Sequence, residues 1–183
     1  MADDALGSAL CTQCGLCCAG ALHDRAVLDE DEIEPARFLG LPVVDDGRPA
    51  FALPCPRLEN SMCTIYESRP RVCGRYKCKL LQDLEAAEVT LEQASERVAT
   101  AKDLLRAARA VAPEGLSLME ARHLVQSQPS AKSLSESGSA QQSHMQLRLR
   151  TTALNLYLDS HFRNAQDPKT FVLAAVGDAV KGE

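Results

Sequence analysis

The longest regular pattern in the chain lies between Leu80 and Val111, a stretch with neither proline nor glycine. Within it Leu84, Ala87, Leu91, Ala94, Val98, Ala101, Leu105 and Ala108 recur at alternating spacings of three and four. This heptad stripe predicts one long helix whose apolar face packs on a neighbour, and the alternation of large residues with Ala lets that neighbour approach closely. Pro113-Glu114-Gly115 ends it, and a second short helix is predicted over about 116–125. Residues 126–143 are rich in Ser and Gln and poor in apolar side chains, which reads as a flexible linker. Leu147, Leu149, Leu154, Leu156 and Leu158 follow; length and Leu content predict a helix over about 145–163. A last helix is expected over about 167–180, with Asp167 as N-cap and Pro168 at its first position. The stripe is expected to pack antiparallel on the helix from Met145, or alternatively on a second copy to give a homodimer.

The first part of the chain has a different texture. Acidic residues at Asp29–Glu32 predict the first turn of a short helix that runs to about Leu39 and stops at Gly40. Asp45-Asp46-Gly47 is a turn signal between Leu41–Val44 and Pro49–Leu53, which predicts a small hairpin. The fold class expected is α+β, mostly α: a small irregular cysteine-rich domain stapled by metal, then a long helix and C-terminal helices. The expected divisions are a metal-binding domain over 1–82, a helical extension over 83–126, a linker over 127–144 and a helical segment over 145–183.

Composition narrows the function. Apolar residues make up 45% of the chain but aromatics only 4%, so the core is aliphatic. A net charge of −5 argues against a nucleic-acid partner, because phosphate binding needs a basic surface. No apolar run is long enough for a membrane span, and the acidic start lacks the features of a secretory signal. The expected compartment is therefore the cytoplasm, where thiols stay reduced.

All eight cysteines fall between Cys11 and Cys78. In a reducing compartment such a cluster points to metal or redox chemistry rather than disulfides. The first group, Cys11-x2-Cys14-Gly15-x-Cys17-Cys18, lets sulfurs from one turn meet one metal, with Gly15 supplying the permissive turn. It also opens like a bacterial ferredoxin run, a pattern that the adjacent Cys18 breaks. Adjacent side chains point apart, so Cys17 and Cys18 either serve different sites or leave one as a spare thiol. The second group is Cys55, Cys63, Cys73 and Cys78, set among Arg69, Arg71, Arg75, Lys77 and Lys79. Cations there would lower thiol pKa values and stabilise an anionic centre. Both groups are expected to converge in space, with an iron–sulfur cluster favoured over Zn2+. His23, the only histidine inside the cysteine region, reads as an ordinary surface or core residue.

The combination Cys11-x2-Cys14-x2-Cys17-Cys18, Pro54-Cys55-Pro56-x-Leu58 and Cys63-x-Ile65-Tyr66-x3-Arg69-Pro70-x2-Cys73-x2-Tyr76-x-Cys78 resembles the YkgJ-like CxxCxxCC family, described as zinc- or iron-chelating. The resemblance covers about residues 8–82 and implies chelation by all eight cysteines. Tyr66, Arg69, Pro70, Arg75 and Tyr76 are then expected to support the metal rather than react. Many members carry Arg directly after the penultimate cysteine, where this chain has Gly74 and then Arg75. The domain also looks like part of flagellin lysine N-methylases, which implies an enzymatic alternative of methyl transfer or redox chemistry. The leading expectation is a non-enzymatic or accessory metal-binding protein. A third reading is a module that docks a protein partner through the 80–111 helix.

Overall fold

The computed structural model describes residues 2–45, 47–127 and 138–164. The helix expected over 167–180 and residues 128–137 of the Ser-rich segment lie outside them. The architecture is mostly helical with two small sheets, as the sequence predicts. None of the described helices is long and apolar enough to cross a membrane.

A first helix that the apolar pattern did not signal, α1, spans Ala2–Cys14. Three strands follow, β1 (Arg25–Val27), β2 (Val43–Val44) and β3 (Ala50–Ala52), with α2 (Ile33–Phe38) between the first two. β3 is central and antiparallel to both neighbours, so the expected hairpin forms and gains an outer strand. Gly40 closes α2 as expected: at φ +71° its N–H donates to Arg37 while the Leu41 N–H donates to Ala36, a Schellman pair. A two-stranded ribbon of β4 (Leu58–Glu59) and β5 (Met62–Cys63) leads to α3 (Arg71–Arg75).

The long helix expected over 80–111 is two helices, α4 (Lys79–Glu85) and α5 (Leu91–Arg109). Ala87 takes a left-handed conformation at φ 56°, and the Ala87 and Glu88 amides donate back to the carbonyls of Leu84 and Asp83. That is a Schellman stop built without glycine, at a cost of about 1 kcal/mol. Thr90 then starts α5 with a capping box: the Gln93 amide donates to the Thr90 hydroxyl at 3.2 Å and the Thr90 amide to the Gln93 side chain at 2.9 Å. Ala87 is exposed and Leu91 is 40% exposed, so the stripe leaves its face at the break.

Downstream of the break the stripe behaves as predicted. Ala94, Val98, Ala101, Leu105 and Ala108 are buried. α5 packs chiefly against α7 (Gly138–His161), whose Leu154 and Leu158 are fully buried in the same cluster. α7 begins at Gly138, so the stretch from there to 144 is helix rather than linker; Ser and Gln tolerate a helix that has a partner. α6 (Leu118–Ser127) also packs against α7. The apolar face offered for docking a partner or a second copy is thus filled inside the chain.

Two apolar clusters result. The larger joins Leu10, Leu16 and Leu22 to Leu80, Leu84, α5 and α7, so it runs across the boundary expected near residue 82. The smaller packs Leu28, Ala36, Leu41, Phe51 and Leu53 under the three-stranded sheet. Leu158 lies at the α5–α7 contact with no exposed surface. Leu158→Ala should lower stability by about 2–5 kcal/mol, the range for truncating a buried leucine. Urea unfolding followed by circular dichroism checks this, and an unchanged midpoint would show that the two helices do not share a core.

Candidate metal centre

The backbone brings the two cysteine groups together in steps. Cys11 and Cys14 sit three residues apart on α1 and share one face of it. Gly15 ends α1 at φ +66°, and a Cβ there would meet the Ser61 carbonyl at 2.8 Å. Glycine at this position thus lets the cysteine turn press against the β4–β5 ribbon. The loop then winds tightly: the amides of Ala19, Gly20 and Ala21 donate to Gly15, Cys17 and Leu16. The Cys55 amide donates to the Cys18 carbonyl at 2.7 Å, which joins the second group to the first.

All eight cysteines line one cavity of about 440 Å3 between the two apolar clusters. All are free thiols; Cys11 and Cys73 are exposed and the other six are half-buried. Both cysteine groups thus face one cavity. Among the described residues, no three His, Cys, Asp or Glu side chains gather closely enough to hold a single metal ion. The thiols ring a space instead of meeting at a point.

Tyr66, Arg69, Pro70 and Tyr76 also line the cavity. The Arg69 guanidinium lies 3.6 Å from the Tyr66 ring centroid and donates to the Tyr66 carbonyl at 2.7 Å. Its charge lowers the thiol pKa of Cys11 and Cys73 against stronger opposing effects. Pro70 caps α3, and its carbonyl accepts the Cys73 amide at 2.9 Å. Arg75 does not line the cavity; its guanidinium faces Asp29 at 3.7 Å on the exterior. Arg71 turns the same way: it pairs with Asp29 and Asp31, and its amide donates to Glu32 at 2.7 Å. The acidic turn at 29–32 therefore anchors α3, and with it Cys73. Lys79 pairs with Asp83, and Lys77 lines the cavity while pairing with Glu85 at 2.8 Å. Of the five cations expected near the last cysteines, Arg69 and Lys77 reach the cavity wall. His23 lines it too, its ring edge-on to Tyr76 at 4.6 Å between centroids.

Sequence reasoning missed the residues that hold the cysteine loop from behind. Arg109 of α5 donates to the Ala19 carbonyl at 3.0 Å. Arg122 of α6 donates to Gly20 at 3.3 Å and to Ala21 at 2.6 Å, and Arg163, just past α7, donates to Ala21 at 3.1 Å. Lys102 reaches the Gln13 carbonyl. Three arginines from three helical segments thus clasp the carbonyls that follow Cys17-Cys18. Their partners are backbone atoms, so no spacing in the sequence marks them.

Electrostatics favour the neutral thiol at seven of the cysteines. Burial pushes Cys14 and Cys73 up to about 12 and Cys18 and Cys78 to about 11, from an ordinary value of 9.0. Cys17 is raised well above 9.0 by the same cause, and Cys11 and Cys55 are raised too. Backbone amides oppose this: Leu16 donates to Cys14, Arg57 to Cys55, and Leu80 and Leu81 to Cys78. Burial wins while the thiols stay protonated; a bound cation would reverse the balance by holding each sulfur as thiolate.

Eight thiols on one wall are a soft donor set, suited to zinc or to an iron–sulfur core. The arrangement thus defines a metal-chelating cysteine domain. Residues 10–100 match the CxxCxxCC family, "putative zinc- or iron-chelating domain", and over that segment the chain belongs to it. Neither a curated protein nor a solved structure matches the chain significantly.

Two expectations follow. A thiol raised in the fold stabilises the metal-free protein below pH 9.0, and that contribution is lost as pH rises toward about 12. The thermal midpoint of the metal-free protein should therefore fall across that window, while the loaded protein, already thiolate, should not follow it. Parallel curves for the two forms would mean that these thiols are not the ligands. Second, Arg122→Met should remove the arginine donor to the Gly20 carbonyl and leave Ala21 to Arg163 alone, at about 1–3 kcal/mol for a group left unsatisfied. Urea unfolding should shift downward and metal should transfer faster to a chelator; unchanged values for both would remove the clasp from the account.

Proposed function

We propose that residues 10–100 hold an iron–sulfur centre through Cys11, Cys14, Cys17, Cys18, Cys55, Cys63, Cys73 and Cys78, in a binding or accessory protein. The observation that carries this reading is the single cavity walled by all eight thiols. Its volume and the ring of sulfurs suit a polynuclear core, whose thiolates are held apart by the core itself, better than one tetrahedral zinc. Amides aimed at Cys14, Cys55 and Cys78 add support, since hydrogen bonds to sulfur tune such centres. The polar groups on the wall, Arg69, Lys77, His23 and Tyr76, have the chemistry to orient ligands and offset negative charge. When bound, the cluster would supply one-electron redox capacity.

The test is anaerobic purification of the full chain with iron and acid-labile sulfide analysis. The expected product is brown, with a thiolate-to-iron absorption band that bleaches on reduction. A colourless protein that retains zinc in the same preparation would overturn the iron reading and leave a zinc-chelating domain.

A further inference from the structure

We propose that the eight cysteines form two four-thiolate centres side by side in the one cavity: Cys11, Cys14, Cys17 and Cys78 hold the first, and Cys18, Cys55, Cys63 and Cys73 the second. The proposal rests on the iron–sulfur reading above and deepens it.

The division follows the elements. Cys11 and Cys14 share a face of α1, α1 packs on α4, and Cys78 is the residue that caps α4. Cys17 is three residues past Cys14 in the loop that α1 feeds. The first set is therefore built from two packed helices and the turn between Cys14 and Cys17. The second set is built around the β4–β5 ribbon. Cys55 is tied to Cys18 by the 2.7 Å amide bond, and the Cys55 carbonyl accepts the Leu58 amide at 3.2 Å. Leu58 pairs directly with Cys63 across the ribbon. Cys73 lies on α3, which the Asp29–Glu32 turn holds beside β1.

Thiol proximity sorts the same way. Cys14 and Cys17 each sit within electrostatic reach of Cys78 and Cys11. Cys73 is within reach of Cys18, Cys55 and Cys63, and Cys18 of Cys55 and Cys63. The influences that cross the division are Cys18 on Cys17, which are joined by a peptide bond, and Cys11 on Cys18, weaker there than Cys55 or Cys63. Consecutive residues send their side chains in different directions, so the Cys17-Cys18 peptide can serve both centres at once. A single four-ligand centre would leave four thiols over on the cavity wall, and spare thiols behave as small apolar groups that have no reason to group in fours.

The experiment counts iron and sulfide in the anaerobically purified full chain, alongside Cys78→Ser and Cys73→Ser. The wild type should hold about eight iron and eight sulfide atoms, the content of two [4Fe–4S] cores. Each variant should keep about half, and the reduced wild type should show the broadened electron paramagnetic resonance of two interacting centres where each variant shows one. About four iron atoms in the wild type overturns the division, whichever variant loses them. The wild-type count decides even where a variant fails to fold. A colourless, iron-free protein overturns the iron–sulfur reading instead, and two zinc ions per chain against one then decides the division.

Discussion

Three guanidinium groups hold the carbonyls of Ala19, Gly20 and Ala21, and the geometry of the cysteine domain hangs on that clasp. In the tight loop from Gly15 to Ala21 the carbonyls of residues 15–18 accept backbone amides, and those of Ala19, Gly20 and Ala21 accept the arginines. Buried carbonyls without partners are costly, and arginine supplies several donors from one side chain. α5, α6 and α7 contribute no cysteine, yet they and the residue just past α7 supply these donors and so hold the loop that carries Cys17 and Cys18. The end of α7 reinforces the arrangement, because the Phe162 carbonyl accepts the Lys79 amide next to Cys78. The helical half is in this sense part of the metal centre's frame.

The same groups set the charge of the interior. Arg122 is 1% exposed and Arg163 6% exposed, and their carboxylate partners are Asp24 and Asp159. Burial, then repulsion from Arg163, lowers the Arg122 pKa to about 10, against the opposing pull of Asp24 and Asp159. A centre of four thiolates on a dipositive core carries a charge of about −2. Deprotonation of the thiols on loading would place further negative charge in front of the loop whose carbonyls Arg109, Arg122 and Arg163 hold from behind.

What the sequence makes legible follows from periodicity and turn chemistry. The stripe from Ala94 to Ala108 and the turn at Gly47 are local signals with one structural solution each, and both appear as read. The break between α4 and α5 also left a signal, the Thr90-x-x-Gln93 capping box, but the heptad spacing runs through it and a left-handed alanine has no sequence mark. α1 was illegible because its amphipathicity is weak: its cysteines are its inward face, and they read as ligands instead of as a helix side. The cations near Cys73 were legible as charge but not as direction. Arg71 and Arg75 turn outward because the acidic turn at 29–32, some forty residues earlier, lies there to receive them.

The two apolar clusters carry unequal shares of the fold, and this bears on how far the metal is structural. Small cysteine domains that depend on zinc draw about 10–16 kcal/mol from the metal and unfold without it. Here the larger cluster is built from α5, α7 and the aliphatic residues of α1 and α4, and it needs no ligand to bury its surface. The smaller cluster, under a sheet whose strands have two or three residues, is joined to it across the cavity. Short strands and a five-residue helix are too brief to persist alone. The energy of metal binding is therefore spent on docking the sheet, the β4–β5 ribbon and α3 against a helical body that already stands. On the proposed division, Cys18, Cys55, Cys63 and Cys73 would be the ligands that span this joint, whereas Cys11, Cys14, Cys17 and Cys78 are carried on or beside the helical body itself.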